Sequence, residues 1–271
     1  SKPSTCGSPA LPEVKLKFHY ERGTAETGRL EIYDAALALR GIARATSIVT
    51  HAYLNGEVRT RGEAATGARI YIETPRRGSF VYEAVIWTSG ALTSGIFYDY
   101  IKYAFNEAVG RIANQEPTSR ALERRIEPTI GELPAALESA LEEVHRPIRQ
   151  DRAIVLTVNR PRGEELASFD AESLNYLQPA TVPAPHEISG NVTKYNSLTG
   201  WGKFFDLVER RTISFSIDLG SPERTRSLIT WSLHENNMRR SGLLYLVANA
   251  VVTPTGFIKR YIVHQVSDAP I

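Results

Sequence analysis

The sequence predicts an α+β protein in two parts. An N-terminal antiparallel sheet packed by long helices comes first. A C-terminal five-stranded β-barrel of the OB-like or SH3-like kind, carrying one helix, follows it. Three observations predict this. Residues 186–266 read as three strands, a helix and two more strands, the element order of an oligonucleotide- and oligosaccharide-binding (OB) barrel. Residues 14–113 mix strand patterns with two long helical patterns, as an α+β layer requires. Between the two parts, residues 178–185 hold three prolines in eight positions, a density that favours an extended connector over sheet or helix. The predicted organisation is a flexible tail over residues 1–13, an α+β domain with a helical insertion over 14–177, a Pro-rich linker over 178–185 and the barrel domain over 186–271.

The elements follow in order. Val14, Leu16 and Phe18 alternate with Lys15, Lys17 and His19, the pattern of a half-buried strand. After the turn signal at residues 23–28, residues 29–33 can return as a second strand. Asp34 precedes a helical pattern as its candidate N-cap; Ala35, Leu39, Ile42, Ala43, Thr46, Val49 and Tyr53 then recur at steps of three and four until Asn55-Gly56. Residues 68–73 and 79–87 are further strands, and residues 91–113 a second helix rich in aromatic side chains, broken at Pro117. Shorter helices are expected over 121–126 and 133–145, a strand over 152–158, and a short helix over 170–177 capped by Asp170. In the barrel the strands are 187–195, 201–208, 212–219, 243–252 and 257–266, with the helix over 222–240.

Composition excludes several classes. The chain has 271 residues, 42% apolar and 23% charged, with a net charge of +2, so no whole-molecule field draws it to nucleic acid or anionic lipid. Residues 186–271 carry 10 Lys/Arg against 7 Asp/Glu, a mild basic tilt rather than the dense stripe of a committed DNA binder. Arginine outnumbers lysine 25 to 7, which fits a GC-rich coding bias as well as bidentate anion recognition. The single cysteine, Cys6, excludes an internal disulfide framework and any multi-Cys zinc site, and points to the cytoplasm. Residues 1–12 lack the apolar run of a secretory leader. The uncharged run over residues 84–98 is fifteen residues long, short of the roughly 20 that span a bilayer.

No catalytic residue, metal ligand or cofactor is assigned. The six histidines sit in no nucleophile elbow or Cys/His signature, and neither a Walker sequence nor a dinucleotide fingerprint is present. Glu142 and His145 form a Glu-x-x-His pair, but a di-metal site needs a second such pair; Glu138, Glu142 and Glu143 are read as the solvated face of a helix. Asn191-Val-Thr193 matches a glycosylation acceptor but has no meaning without a secretory signal. Two constellations can bind. Arg76 and Arg77 stand in the tight connection Thr74-Pro-Arg-Arg-Gly-Ser-Phe80, with Arg59 and Arg61 able to converge on them; such a loop either grips a phosphate or carboxylate or is a soluble turn between apolar strands. In the barrel, Lys194, Trp201, Lys203, Phe204, Phe205, Arg210 and Arg211 interleave aromatic and basic groups, the composition of a single-strand binding face. Alternation sends at least one of Phe204 and Phe205 to the core.

Leu30-Glu-Ile-Tyr-Asp34, Gly56-Glu-Val-Arg-Thr-Arg61 and Pro75-Arg-Arg-Gly-Ser-Phe80 give the N-terminal half a resemblance to a family of uncharacterised bacterial proteins. From Ser189-Gly-Asn-Val192 to Gly256-Phe-Ile-Lys-Arg-Tyr-Ile262 the chain is similar to a five-stranded barrel domain often placed at the end of such proteins. The resemblance implies a mobile-element or anti-phage gene neighbourhood and no active site. The expected function is a non-enzymatic binding or assembly module, a subunit of a bacterial defence or regulatory complex. Its barrel would contact a partner protein or nucleic acid, and a small anion is a further ligand class. Two alternatives remain: an enzyme acting on nucleic acid or nucleotides through an unannounced acid/base or metal site, and an oligomeric or membrane-acting effector assembled through residues 84–105.

Overall fold

The computed structural model describes residues 13–60, 65–73, 80–89, 93–112, 117–161, 163–178 and 182–271. The N-terminal part runs β1 (Glu13–Glu21), a short helical turn (Gly23–Thr27), α1 (Ile32–Asn55), β2 (Ala68–Glu73), β3 (Phe80–Thr88), α2 (Ser94–Ala108) and α3 (Arg120–Ile126). It continues through α4 (Glu132–Val144), α5 (Arg146–Gln150), β4 (Val155–Asn159), β5 (Glu165–Phe169) and α6 (Ala171–Leu177). The strands form an antiparallel sheet ordered β2-β3-β1-β4-β5. The alternation of β1 sets its register, because Val14, Leu16, Phe18 and Tyr20 are all buried; Phe18 lies opposite Tyr82 on one side and Val158 on the other. A one-residue slip would turn this whole set to solvent.

Helix α1 lays its apolar stripe on this core through Ala38, Ile42, Ala45, Val49 and Ala52. It approaches α4 so closely that a Cβ on Gly41 would come within 2.6 Å of Val144 N and 2.7 Å of Ala140 O. The helix stops where Gly56 takes φ 67° and returns its N–H to Ala52 O, the left-handed ending that glycine permits.

Four expectations need correction. Residues 29–33 do not form a strand; the chain enters α1 at Ile32, and Glu31 rather than Asp34 is the N-cap, accepting from Asp34 N at 2.9 Å. Asp34 is instead buried in the first turn and ion-paired with Arg146 at 3.1 Å. Ile32 and Tyr33 are 83% and 67% exposed, so neither is buried as a strand packed on the core would require. Helix α2 is shorter than residues 91–113: it yields to Gly110, which takes φ 77° and whose Cβ would meet the Tyr176 ring at 2.3 Å. The strand expected at 152–158 begins at Val155, and β5 was not foreseen. A register shift at Val158/Asn159 breaks the alternation of that pair, burying the adjacent Leu166 and Ala167 together.

The C-terminal part contains β6 (His186–Tyr195), β7 (Trp201–Asp206), β8 (Arg211–Ile217), α7 (Glu223–Asn237), β9 (Leu244–Val252) and β10 (Ile258–Ser267). They form a closed barrel ordered β10-β8-β7-β6-β9. β10 pairs antiparallel with β9 and parallel with β8. Counted from β6, the third and fifth strands are parallel neighbours and the helix separates the third from the fourth, which is an OB-like arrangement. Val192, Phe204, Ile213, Phe215, Leu246 and Tyr261 fill its interior. Two glycines let the strands close: a Cβ on Gly190 would lie 1.9 Å from Phe205 O, and one on Gly202 would lie 2.5 Å from Lys194 O. Helix α7 plugs the barrel through Ile229 and Ser232, whose hydroxyl accepts from Val192 N at 3.0 Å and donates to Gly242 O.

A cationic cleft on the barrel face

Strand alternation decides what the barrel presents. On β7, Phe204 points inward, while Trp201, Lys203 and Phe205 point outward. Lys203 stands opposite Ser214 of β8, and Ser214 stands opposite Arg260 of β10. These three residues therefore form one row across three strands. The neighbouring position on β10 is irregular. Ile258 pairs with Val252 and Arg260 with the next residue back, Val251, so Lys259 is the extra residue of a β-bulge. A bulge re-aims a side chain, and here Lys259 and Arg260, adjacent in sequence, reach the same acceptor.

That acceptor belongs to the N-terminal part. Lys259 Nζ and Arg260 Nη1 both lie 2.7 Å from Glu138 Oε1 on α4. Lys203 Nζ contacts Glu107 of α2 and donates to Ser214 Oγ at 2.9 Å. Lys194 Nζ lies 3.2 Å from Glu123 of α3. In all four pairs the base comes from the barrel and the acid from the helices. Asn196 Nδ2 adds a hydrogen bond to Pro128 O at 2.7 Å, and Gly131, with φ 74°, brings the backbone before α4 against Trp201 and Gly202. The strand face that OB barrels offer to ligands is thus turned towards the helices.

The two surfaces do not close completely. Between them lies a cavity of about 410 Å³, within the size range of small-ligand pockets. Its barrel wall carries Lys203, Arg211, Ser214, Lys259 and Arg260, and its helical wall Tyr103, Ala108, Ile112, Ile130, Pro134 and Tyr176. Phe257, in the loop entering β10, supports Arg211, whose guanidinium stacks 4.1 Å from the ring centroid and donates to Ile258 O at 2.6 Å. Tyr176 meets Phe257 at 5.9 Å and lies 4.9 Å beneath Lys259 Nζ. Burial pushes the Lys259 ammonium below the usual lysine range, partly offset by Glu138. Burial also raises the Tyr103 and Tyr176 phenols, which therefore stay protonated at neutral pH.

The predicted site residues divide. Lys194, Lys203 and Arg211 line the cleft. Trp201 packs at its edge against Gly131. Phe205 is 37% exposed on the outer barrel surface. Arg210 sits exposed in the β7–β8 turn with φ 54°. Arg59 reaches Thr66 Oγ1 at 3.4 Å beyond the end of α1. Arg61, Arg76 and Arg77 lie outside the described residues. Sequence reasoning missed Glu107, Glu138, Tyr176, Lys259 and Arg260; the adjacent pair Lys259-Arg260 was visible, but not the bulge that points both one way.

The carboxylates of α4 do not form the solvated face predicted for them. Glu138 holds Lys259 and Arg260, and Glu143 holds Arg40 at 2.9 Å and Arg44 at 2.5 Å. His145 turns into the core, where its Nδ1 donates to Leu141 O at 2.6 Å and its Nε2 accepts from Ser173 Oγ at 2.8 Å. Burial pushes its pKa down to about 4. Among the described residues, no group of three or more His, Cys, Asp or Glu side chains is placed to hold a metal ion. Among them, too, no helix is long and apolar enough to cross a membrane.

Fold and cleft together define a two-part architecture: an α+β layer docked by its helices onto the β7–β8 face of an OB-like barrel. Residues 16–114 match a domain of unknown function (DUF7946), and residues 184–267 match a family of unknown function (DUF7947). No curated protein and no solved structure matches the chain.

Proposed function

We propose that the protein is a non-enzymatic binding module that takes an anionic ligand into the cleft between barrel and helices. The observation that carries this reading is the sharing of one carboxylate oxygen, Glu138 Oε1, by both Lys259 and Arg260. Two cationic charges thus converge on one carboxylate oxygen, with Glu142 acting on Lys259 from farther along α4. Among the residues lining the cavity, Lys194, Lys203, Arg211, Lys259 and Arg260 outnumber Glu107 and Glu138. Glu123 and Glu209, outside the lining, pair with Lys194 and Arg211 at 3.2 and 3.7 Å, so that five bases meet four carboxylates and a formal excess of one positive charge remains. A concave wall of one sign with apolar surroundings focuses its field on an entering anion. Ammonium, guanidinium and hydroxyl donors recognise such a group without chemistry on it.

The sequence resemblance supports the wider setting, a cytoplasmic subunit of a bacterial defence or regulatory complex that engages a partner protein or nucleic acid through its outer surface. The cleft reading is tested by thermal unfolding with pyrophosphate and citrate, comparing the wild-type chain with Lys203→Ala/Arg260→Ala. Saturating anion should raise the wild-type midpoint, since each kcal/mol of binding linkage is worth about 2–4 °C in a chain of this size. The double variant should lose the shift. Equal shifts in both proteins, or none in either, would remove the cleft from the account.

A further inference from the structure

We infer that the anion is a nucleoside di- or triphosphate, its phosphate chain lying along the barrel wall and its base against the helical wall. This rests on the anion-binding reading of the cleft and goes further, because the two walls differ in chemistry and the cations are arranged in a line. Lys203, Ser214 and Arg260 occupy one row across β7, β8 and β10. Neighbouring strands lie about 4.8 Å apart, so the backbones at the ends of that row are about 10 Å apart. Arg211 flanks the row at the start of β8, and Lys259 flanks it through the bulge. An anion extended over several ångströms can answer the whole row, whereas one compact phosphate meets only part of it. Hydroxyls intersperse the cations: Ser214 already accepts from Lys203 at 2.9 Å, and Thr193 lies on the same side of the cavity.

The opposite wall has no cation. It brings the carboxylates of Glu107 and Glu138 to the barrel cations and, beside them, presents Ala108, Ile112, Ile130 and Pro134 with the rings of Tyr103 and Tyr176, the latter also in contact with Lys259 and Phe257. Flat apolar surface beside a protonated phenol suits a heteroaromatic base, which needs both a face to stack on and a hydrogen-bond partner. An acyl chain would leave such a hydroxyl facing hydrocarbon, which is costly. The cavity, at about 410 Å³, has room for more than a bare oligophosphate. A di- or triphosphate also matches in sign the positive excess on the lining.

Isothermal titration of the full chain with ADP, ATP, tripolyphosphate and adenosine tests the inference. ADP or ATP should bind roughly tenfold or more tightly than tripolyphosphate, and adenosine should bind weakest. Arg260→Ala should weaken nucleotide and tripolyphosphate alike. Tyr176→Leu, which keeps apolar bulk, should weaken the nucleotide roughly tenfold and leave tripolyphosphate unchanged. Should Tyr176→Leu lower the unfolding midpoint, Tyr176→Phe supplies the same comparison with the ring retained, its loss confined to nucleotides. Tripolyphosphate binding as tightly as ATP would overturn the nucleotide inference and leave the anion-binding reading standing. Adenosine binding as tightly as ATP would overturn both, and so would the absence of binding by every compound.

Discussion

Lys259 Nζ lies 2.7 Å from Glu138 Oε1 with its side chain only 3% exposed, so a cation of the barrel interior edge is satisfied by a carboxylate of the helical part. Burial of an ammonium favours its neutral form, and one shared carboxylate only partly offsets that.

Anion affinity should therefore fall as pH rises, beginning below the range in which an ordinary lysine titrates. The sign follows from the lowered pKa: Lys259 sheds its proton early, and the cleft loses one positive charge. Glu138, Glu142 and Arg260 are the charged groups that also act on Lys259. Titrations with sulfate, whose charge is constant between pH 7 and 10, should show the decline in the wild-type chain. Lys259→Arg should flatten it, since a guanidinium stays charged.

Glu107 should behave as an internal competitor for Lys203. Glu107→Gln frees the ammonium and should raise pyrophosphate affinity while lowering stability, a split that a purely structural ion pair does not predict. A double-mutant cycle of Glu107→Ala with Lys203→Ala should give a coupling on the order of 1–2 kcal/mol in urea unfolding. Independent additivity of the two substitutions would show that the pair contributes nothing across the interface.

His145 should make the fold acid-sensitive. Its folded pKa is about 4 against about 6.5 in an unfolded chain, so the unfolded state takes up the proton first. The stabilisation is present at pH 7 and is lost progressively as pH falls below 6.5, complete near pH 4, on the order of 3 kcal/mol in total. Asp170 opposes and Arg111 and Arg149 reinforce the depression. Urea midpoints of His145→Gln should be less pH-dependent than wild type between pH 6.5 and 4.5, before most carboxylates titrate.

Gly190 should tolerate no side chain. A Cβ there would lie 1.9 Å from Phe205 O, a backbone atom of the paired strand, so Gly190→Ala must part β6 from β7. A loss of about 3 kcal/mol or more is expected, measured by chemical unfolding followed at Trp201. Gly28→Ala, where no atom lies within 4 Å, should cost only about 1 kcal/mol from its positive φ.

The barrel is legible in sequence because its strands are long, its alternation is clean and prolines frame it. Asp170 could be read as a cap for the same reason: the interaction is local, and Asp170 Oδ1 accepts from Glu172 N and Ser173 N within one turn. Asp34 misled because its partner, Arg146, lies 112 residues away. The candidate site was half legible. Lys194, Lys203 and Arg211 announce themselves by charge beside aromatic residues, but the acidic partners of the two lysines sit on two separate helices, α3 and α2, that only the docked fold brings into register. Lys259 was hidden for a geometric reason: strict alternation places it opposite Arg260, and only the bulge undoes that.

The docking of acid on base also changes what an excised barrel would report. Only eight residues, 178–185, separate the end of α6 from the start of β6, an extended reach of at most about 29 Å. A tether that short holds the helix carboxylates near the barrel cations at an effective concentration on the order of millimolar. A free polyanion must win against that resident rival in the intact chain. Cut away from its neighbour, the barrel would lose the rival and bind polyanions of many kinds, so its apparent promiscuity would be a property of the cut.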